Sequence, residues 1–177
     1  MKTLLSSLLL AASVFTVLPA SAEDGKLEIN GAALTFKFAA PWKAVESASP
    51  MRAGTLQVAV EGVEKPLEAV FYFFGAGQGG DVDANVNRWF SQFEGEPEKN
   101  REEVKAGDKT ITIVKATGTY LDGPPFGAKT PKADHALLGA IVPAAEANVF
   151  IKLTGPKAAV MKLVEDFKKL AASPFAK

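Results

Sequence analysis

The chain has 177 residues, with 20 basic and 20 acidic side chains, one histidine and no cysteine. Balanced charge leaves no electrostatic footprint for nucleic acid, whose binding is dominated by phosphate neutralisation. One histidine without a thiol denies a zinc centre its usual ligands, and disulfides are excluded.

The N-terminus predicts export. Lys2 gives a short positive start, Leu4 to Leu18 form an apolar run, and Ala20-Ser21-Ala22 precede Glu23-Asp24 as a signal-peptidase site. As an anchor, the run falls short of the roughly 20 residues that span hydrocarbon and carries Ser6, Ser7, Ser13 and Thr16. No cysteine follows it, so lipidation at that thiol is closed. Removing residues 1–22 leaves 177 − 22 = 155 residues and, with Lys2 gone, a charge of 19 − 20 = −1. Residues 23–177 are expected to form one soluble domain held by its core alone, periplasmic or secreted.

Leu27-Glu28-Ile29 and Leu34 to Phe38 alternate apolar and polar around Asn30-Gly31, a hairpin signal. Pro41-Trp42 interrupts the pairing, Thr55 to Val60 alternates again, and Leu67 to Phe74 is apolar on both faces in its aromatic half, which predicts a central strand. From Asp83, the spacing of Val86, Trp89, Phe90 and Phe93 predicts a helix capped by Asp81 or Asp83, with Asn85, Asn87, Arg88 and Gln92 pointing away. Glu94 to Lys109 is charged and holds Gly95, Pro97 and Gly107, the pattern of a solvated connection.

Thr110 to Leu121, Ala136 to Val142 and Ala147 to Thr154 are rich in strand formers. Gly155-Pro156 ends the sheet and opens a last helix with the stripe Val160, Leu163, Val164, Phe167 and Leu170, stopped by Ser173-Pro174. The order strands, helix, strands, helix, with short connections, predicts an α+β domain: a largely antiparallel sheet covered by helices, an α/β/α sandwich.

Three patterns bear on chemistry. Gly75 to Gly80 satisfies G-x-G-x-x-G between a strand and a helix, yet consecutive strands on both sides contradict a dinucleotide fold and Asp81 and Asp83 repel phosphate. Asp81 to Asn87 opens like a calcium loop, but Val86 replaces the required Gly and Gln92 the bidentate Glu. The loop Asp122 to Asp134 is long for a compact domain, which favours a functional role. It offers a binding surface of Tyr120, Phe126, Lys129, Lys132 and His135, set against the plain alternative of a proline-stiffened connection. No serine lies in a nucleophile elbow and His135 is the one candidate base, so no catalytic residue is assigned.

Pro41-Trp42 after an apolar strand, the aromatic strand ending at Phe74, and Leu153-Thr154-Gly155-Pro156 leading into a helix that closes at Ser173 resemble the PsbP/Mog1-like domain over most of residues 27–173. The resemblance implies a single antiparallel sheet between helices and a non-catalytic accessory or protein-binding module. The photosystem role of one branch and the nuclear-transport role of the other do not transfer, and neither does any site residue.

The expected function is therefore an exported, non-enzymatic interaction module with an unknown protein or small-molecule partner, without cofactor, metal, nucleic acid or stable membrane anchor. The alternative is a small-ligand binder or enzyme with a pocket between the Gly75–Gly80 loop and the Tyr120–His135 segment.

Overall fold

A computed structural model describes residues 25–124 and 126–176; the expected signal peptide, residues 1–22, lies outside them. β1 (Gly25–Ile29) and β2 (Leu34–Phe38) form a separate hairpin. Its turn is four residues, Asn30 to Ala33, with Gly31 at φ 82° and Ala33 at φ 51°, rather than the two-residue turn Asn-Gly predicts. The chain bends through Ala39 to Pro41 and enters β3 (Trp42–Val45), followed by β4 (Gly54–Val58) and β5 (Leu67–Tyr72). β5 stops two residues before the predicted end at Phe74.

Helix α1 (Val82–Phe90) then carries the chain across one face of the sheet to its far edge. There β6 (Phe93–Ala106), β7 (Lys109–Asp122), β8 (Thr130–Pro143) and β9 (Asn148–Pro156) return as a meander. The seven-stranded order is β3-β4-β5-β9-β8-β7-β6, with every pair antiparallel. The last helix divides at Leu163 (φ −98°, ψ −2°) into α2 (Lys157–Lys162) and α3 (Val164–Ala172) and ends in a 3-10 turn, Ser173–Phe175.

Strand alternation sorts side chains to two faces. One face, with Leu56, Ala69, Phe71, Leu138 and Ile151, packs beneath Val160, Leu163, Phe167 and Leu170 of the α2–α3 segment and beneath Phe36 of the β1–β2 hairpin. The rings of Phe36 and Phe71 meet edge-on at 4.9 Å. The other face holds Val114, Ala116, Leu137, Ile141 and Phe150 under Val86 and Trp89 of α1. Full burial of each such side chain contributes roughly 1.5–3 kcal/mol, against at most about 1 kcal/mol for an exposed ion pair. The apolar stripes therefore set where the helices lie.

Two sequence expectations are corrected. Residues 94–109 are not a solvated connection: most of them form the edge strand β6. Its charges hid the strand, because both faces ion-pair with helices, Arg101 with Asp83 of α1 at 2.6 Å and Glu102 with Lys168 of α3 at 2.7 Å. Asn85 does not point away. It is buried, its Nδ2 donating to the Gly79 carbonyl at 2.7 Å and the Asp81 carbonyl at 2.8 Å, while its Oδ1 accepts from Arg88. A helical wheel gives an amide no reason to turn inward; the Gly79 carbonyl at the end of the glycine loop and the Asp81 carbonyl at the helix start supply it.

Gly139 on β8 sits beneath the Trp89 ring: a Cβ added there would meet ring carbons at 2.4 and 2.5 Å and Val114 Cγ2 at 2.7 Å. Gly139→Ala is expected to cost about 1–3 kcal/mol through overpacking and to lower Tm by several degrees. A melting curve superimposable on wild type would show that α1 is not seated on this glycine.

Candidate functional site

Helix α1 covers β6, β7 and β8 and reaches Phe150 of β9 through Trp89, so the same face stays open over β4, β5 and the Lys152–Thr154 end of β9. Strand alternation turns Gln57, Glu68, Val70, Tyr72, Lys152 and Thr154 toward this open half. A cleft of about 390 Å³ forms there, with Arg52, Glu68, Tyr72, Asp122, Lys152 and Thr154 among its walls.

Lys152 is its most unusual group. It interrupts the apolar run Val149 to Leu153 and pairs across the sheet with Val70 and Gly139. Its Nζ donates to Gln92 Oε1 at 2.5 Å and to the Tyr120 hydroxyl at 2.9 Å, and the hydroxyl in turn donates to Gln92 Oε1 at 3.3 Å. Both acceptors are neutral, and among the described residues Lys152 forms no ion pair. Burial pushes its pKa from the ordinary 10.5 down to about 8; the Asp122 charge opposes the shift, and Arg88 and Lys129 add to it. Burial also pushes the Tyr120 phenol up to about 12, helped by Asp122 and Tyr72.

The acids on the walls are already engaged. Glu68 accepts from Arg52 at 2.7 Å and Gln57 at 3.1 Å. Burial alone would raise its pKa, but those hydrogen bonds and the Arg52 charge hold it below the ordinary carboxylate value. Asp122 pairs with Lys132 at 2.6 Å, and that bond, more than any other contact, lowers its pKa.

Of the five residues singled out from sequence, Tyr120 and Lys132 are cross-strand partners on β7 and β8. Tyr120 is buried and turned toward Lys152. Phe126 is 95 % exposed. Lys129 Nζ donates to the carbonyls of Gly123, at 3.2 Å, and Pro124, which ties the loop to itself. Lys132 holds Asp122 across the hairpin, and His135 Nδ1 lies 2.9 Å from the Ala133 carbonyl beside a bulge where Asp134 takes φ 53°. The long loop itself is shorter than the sequence suggests, because Thr130 to Asp134 belong to β8. Pro131 and the absence of any apolar alternation through Lys132, Ala133 and Asp134 mask that extension.

The Gly75–Gly80 loop and the Tyr120–His135 segment, between which the sequence allows a pocket, meet β8 at its two ends. Gly77 N donates to the Glu146 carbonyl at 3.2 Å, tying the glycine loop to the β8–β9 turn, while the Asp122–Thr130 rung lies at the opposite end of β8. At the start of α1, Asp81 Oδ1 accepts the Ala84 N–H at 2.7 Å. Asp83 and Asn85 of the calcium-like run are committed to Arg101 and to backbone carbonyls. Among the described residues no cluster of three metal-ligating side chains occurs, and no helix is long and apolar enough to cross a membrane.

Of this cluster the sequence singles out Tyr120 but neither Lys152 nor Gln92. The available signal was a lysine within Val-Phe-Ile-Lys-Leu, since a charge inside an apolar strand needs polar company.

No protein-family model and no curated protein matches the chain. Among solved structures, the solution structure of cyanobacterial PsbP (CyanoP) from Synechocystis sp. PCC 6803 matches with a TM-score of 0.54 at 12 % identity, covering 92 % of this chain and 96 % of that one. The fold is PsbP-like, in agreement with the resemblance drawn from the sequence, and the likeness is one of fold alone.

Lys152 makes stability depend on pH. Near pH 7 both folded and unfolded states hold its proton, and the cost of burying the charge is fully present. From about pH 8 toward pH 10 the folded state releases the proton first, so the unfolded state binds more protons and stability rises. Tyr120 acts in the opposite sense, lowering stability above about pH 10. Urea unfolding at about pH 7 and 9.5 should show wild type gaining ~2 kcal/mol relative to Lys152→Met. A difference between the two proteins that does not change with pH would refute the assignment.

Proposed function

We propose that this protein is an exported, non-catalytic accessory module that engages a partner protein through the tip of the β7–β8 hairpin. The observation that carries the reading is the projection of that tip. β6 stops pairing with β7 at Tyr120, and β9 stops pairing with β8 at His135. The rungs Leu121–Pro131 and Asp122–Thr130 therefore stand beyond both neighbouring strands, with Phe126 at the end.

The arm is braced rather than loose. The Asp122–Lys132 pair closes its base and Lys129 caps the carbonyls of Gly123 and Pro124. An exposed aromatic carried on such an arm has few rotatable bonds to fix on docking and a large area to bury, which is the character of an interface hot spot. Lys2, the Leu4–Leu18 run and Ala20-Ser21-Ala22 support export to the periplasm or medium. With His135 as the single histidine and no cysteine, the sequence supplies few parts for nucleophilic catalysis.

Full-length tagged protein expressed in its native cell should be recovered from the envelope fraction or medium with an N-terminus at Glu23, and should co-purify a defined partner. Phe126→Ala should weaken that association by roughly tenfold or more while leaving Tm within the small range typical of exposed substitutions. Equal partner recovery by wild type and Phe126→Ala would reject the hairpin tip, and an intact N-terminus on cytoplasmic protein would reject export.

A further inference from the structure

The cleft over β5 and β9 goes beyond this reading, because its charges do not balance locally. Each wall carboxylate has a cation of its own: Glu68 has Arg52 at 2.7 Å, and Asp122 has Lys132 at 2.6 Å. Lys152, between them on β9, has only the neutral oxygens of Gln92 and Tyr120. An ammonium donates three N–H groups, so one remains after those two bonds. The other charges acting on it are Asp122, attractive but engaged, and Arg88 and Lys129, both repulsive. The site is therefore short of one negative charge in partly desolvated surroundings, where an unpaired ion is costly and a pairing anion is correspondingly favoured.

The remaining walls specify the rest of the ligand. The Val70 side chain and the Tyr72 ring give the apolar part of the cleft, and Thr154 adds a hydroxyl. Two carboxylates in the lining disfavour a multiply charged phosphate, whereas a single carboxylate matches the single unpaired ammonium. The volume of about 390 Å³ lies within the range of small-molecule sites. We propose that this cleft binds a small organic monocarboxylic acid, its carboxylate accepting from Lys152 Nζ and its apolar body lying on Val70 and the Tyr72 ring. Gln92 and Tyr120 hold the ammonium in place from behind and so act as positioning residues.

The test is a titration of the purified full-length protein with benzoate, followed by 1H–15N correlation spectra, with benzylamine and inorganic phosphate as comparators. Benzoate should give saturable shifts at Val70, Tyr72, Lys152 and Thr154, and the comparators should not. Lys152→Met should weaken binding at least tenfold and Lys152→Arg should restore most of it. Should Lys152→Met fail to fold, raising wild type from about pH 7 to 9.5 discharges the same group and should weaken benzoate roughly 30-fold. The proposal is overturned if benzoate produces no saturable shifts at these residues, if phosphate or benzylamine binds there as well as benzoate does, or if neither Lys152→Met nor the pH change alters the affinity.

Discussion

β9 lies between β5 and β8, and its pairing joins two stretches of chain that are otherwise distant. The β3–β4–β5 meander ends at Tyr72, and the β6–β7–β8 meander begins at Phe93. Among the described residues, β9 alone pairs with both. Its odd positions, Val149, Ile151 and Leu153, enter the core under α2 and α3, and Phe150 supports Trp89 and α1 at 6.5 Å. A single nine-residue strand thus anchors both layers of helix. Such non-local pairing costs loop-closure entropy before it contributes, so assembly of the sheet should be slow for a chain of this size.

The same strand creates the asymmetry from which the candidate site arises. α1 must travel from the end of β5 to the far edge at β6, and it covers the strands it crosses. Trp89 fits against Gly139 because that position has no side chain, which fixes the helix over β6 to β8. The other half of the face keeps its polar residues, and Lys152 falls where the covered and open halves meet. Its depressed basicity, the protonated Tyr120 phenol and the cleft all follow from one boundary in the helix layer.

Most of the architecture was legible in the sequence because it depends on periodicity. The alternation in Leu34 to Phe38 and Thr55 to Val60, the helical stripe through Val86 and Trp89, and Gly155-Pro156 as the sheet's exit each reflect burial on one face. β6 was illegible for the converse reason: an edge strand that ion-pairs on both sides shows no apolar alternation. The β8 extension over Thr130 to Asp134 was hidden similarly, since an arm with solvent on both faces imposes no pattern. Of the candidate site, Phe126 and the Asp122–Lys132 region could be found from loop length and composition. The Lys152 cluster could not be assembled, because Gln92, Tyr120 and Lys152 are joined only by the order in which the strands lie.

The edges of the sheet carry one more implication. β3 offers only four residues. β6 is long, but its ladder to β7 is broken between Glu94 and Glu98, with Gly95 and Pro97 in the gap, and charges line its remainder. Neither edge offers a smooth template for another β-strand, so the protein is guarded against stacking with its own copies into fibrils. That guard matters most at high local concentration, when neighbouring copies meet edge to edge.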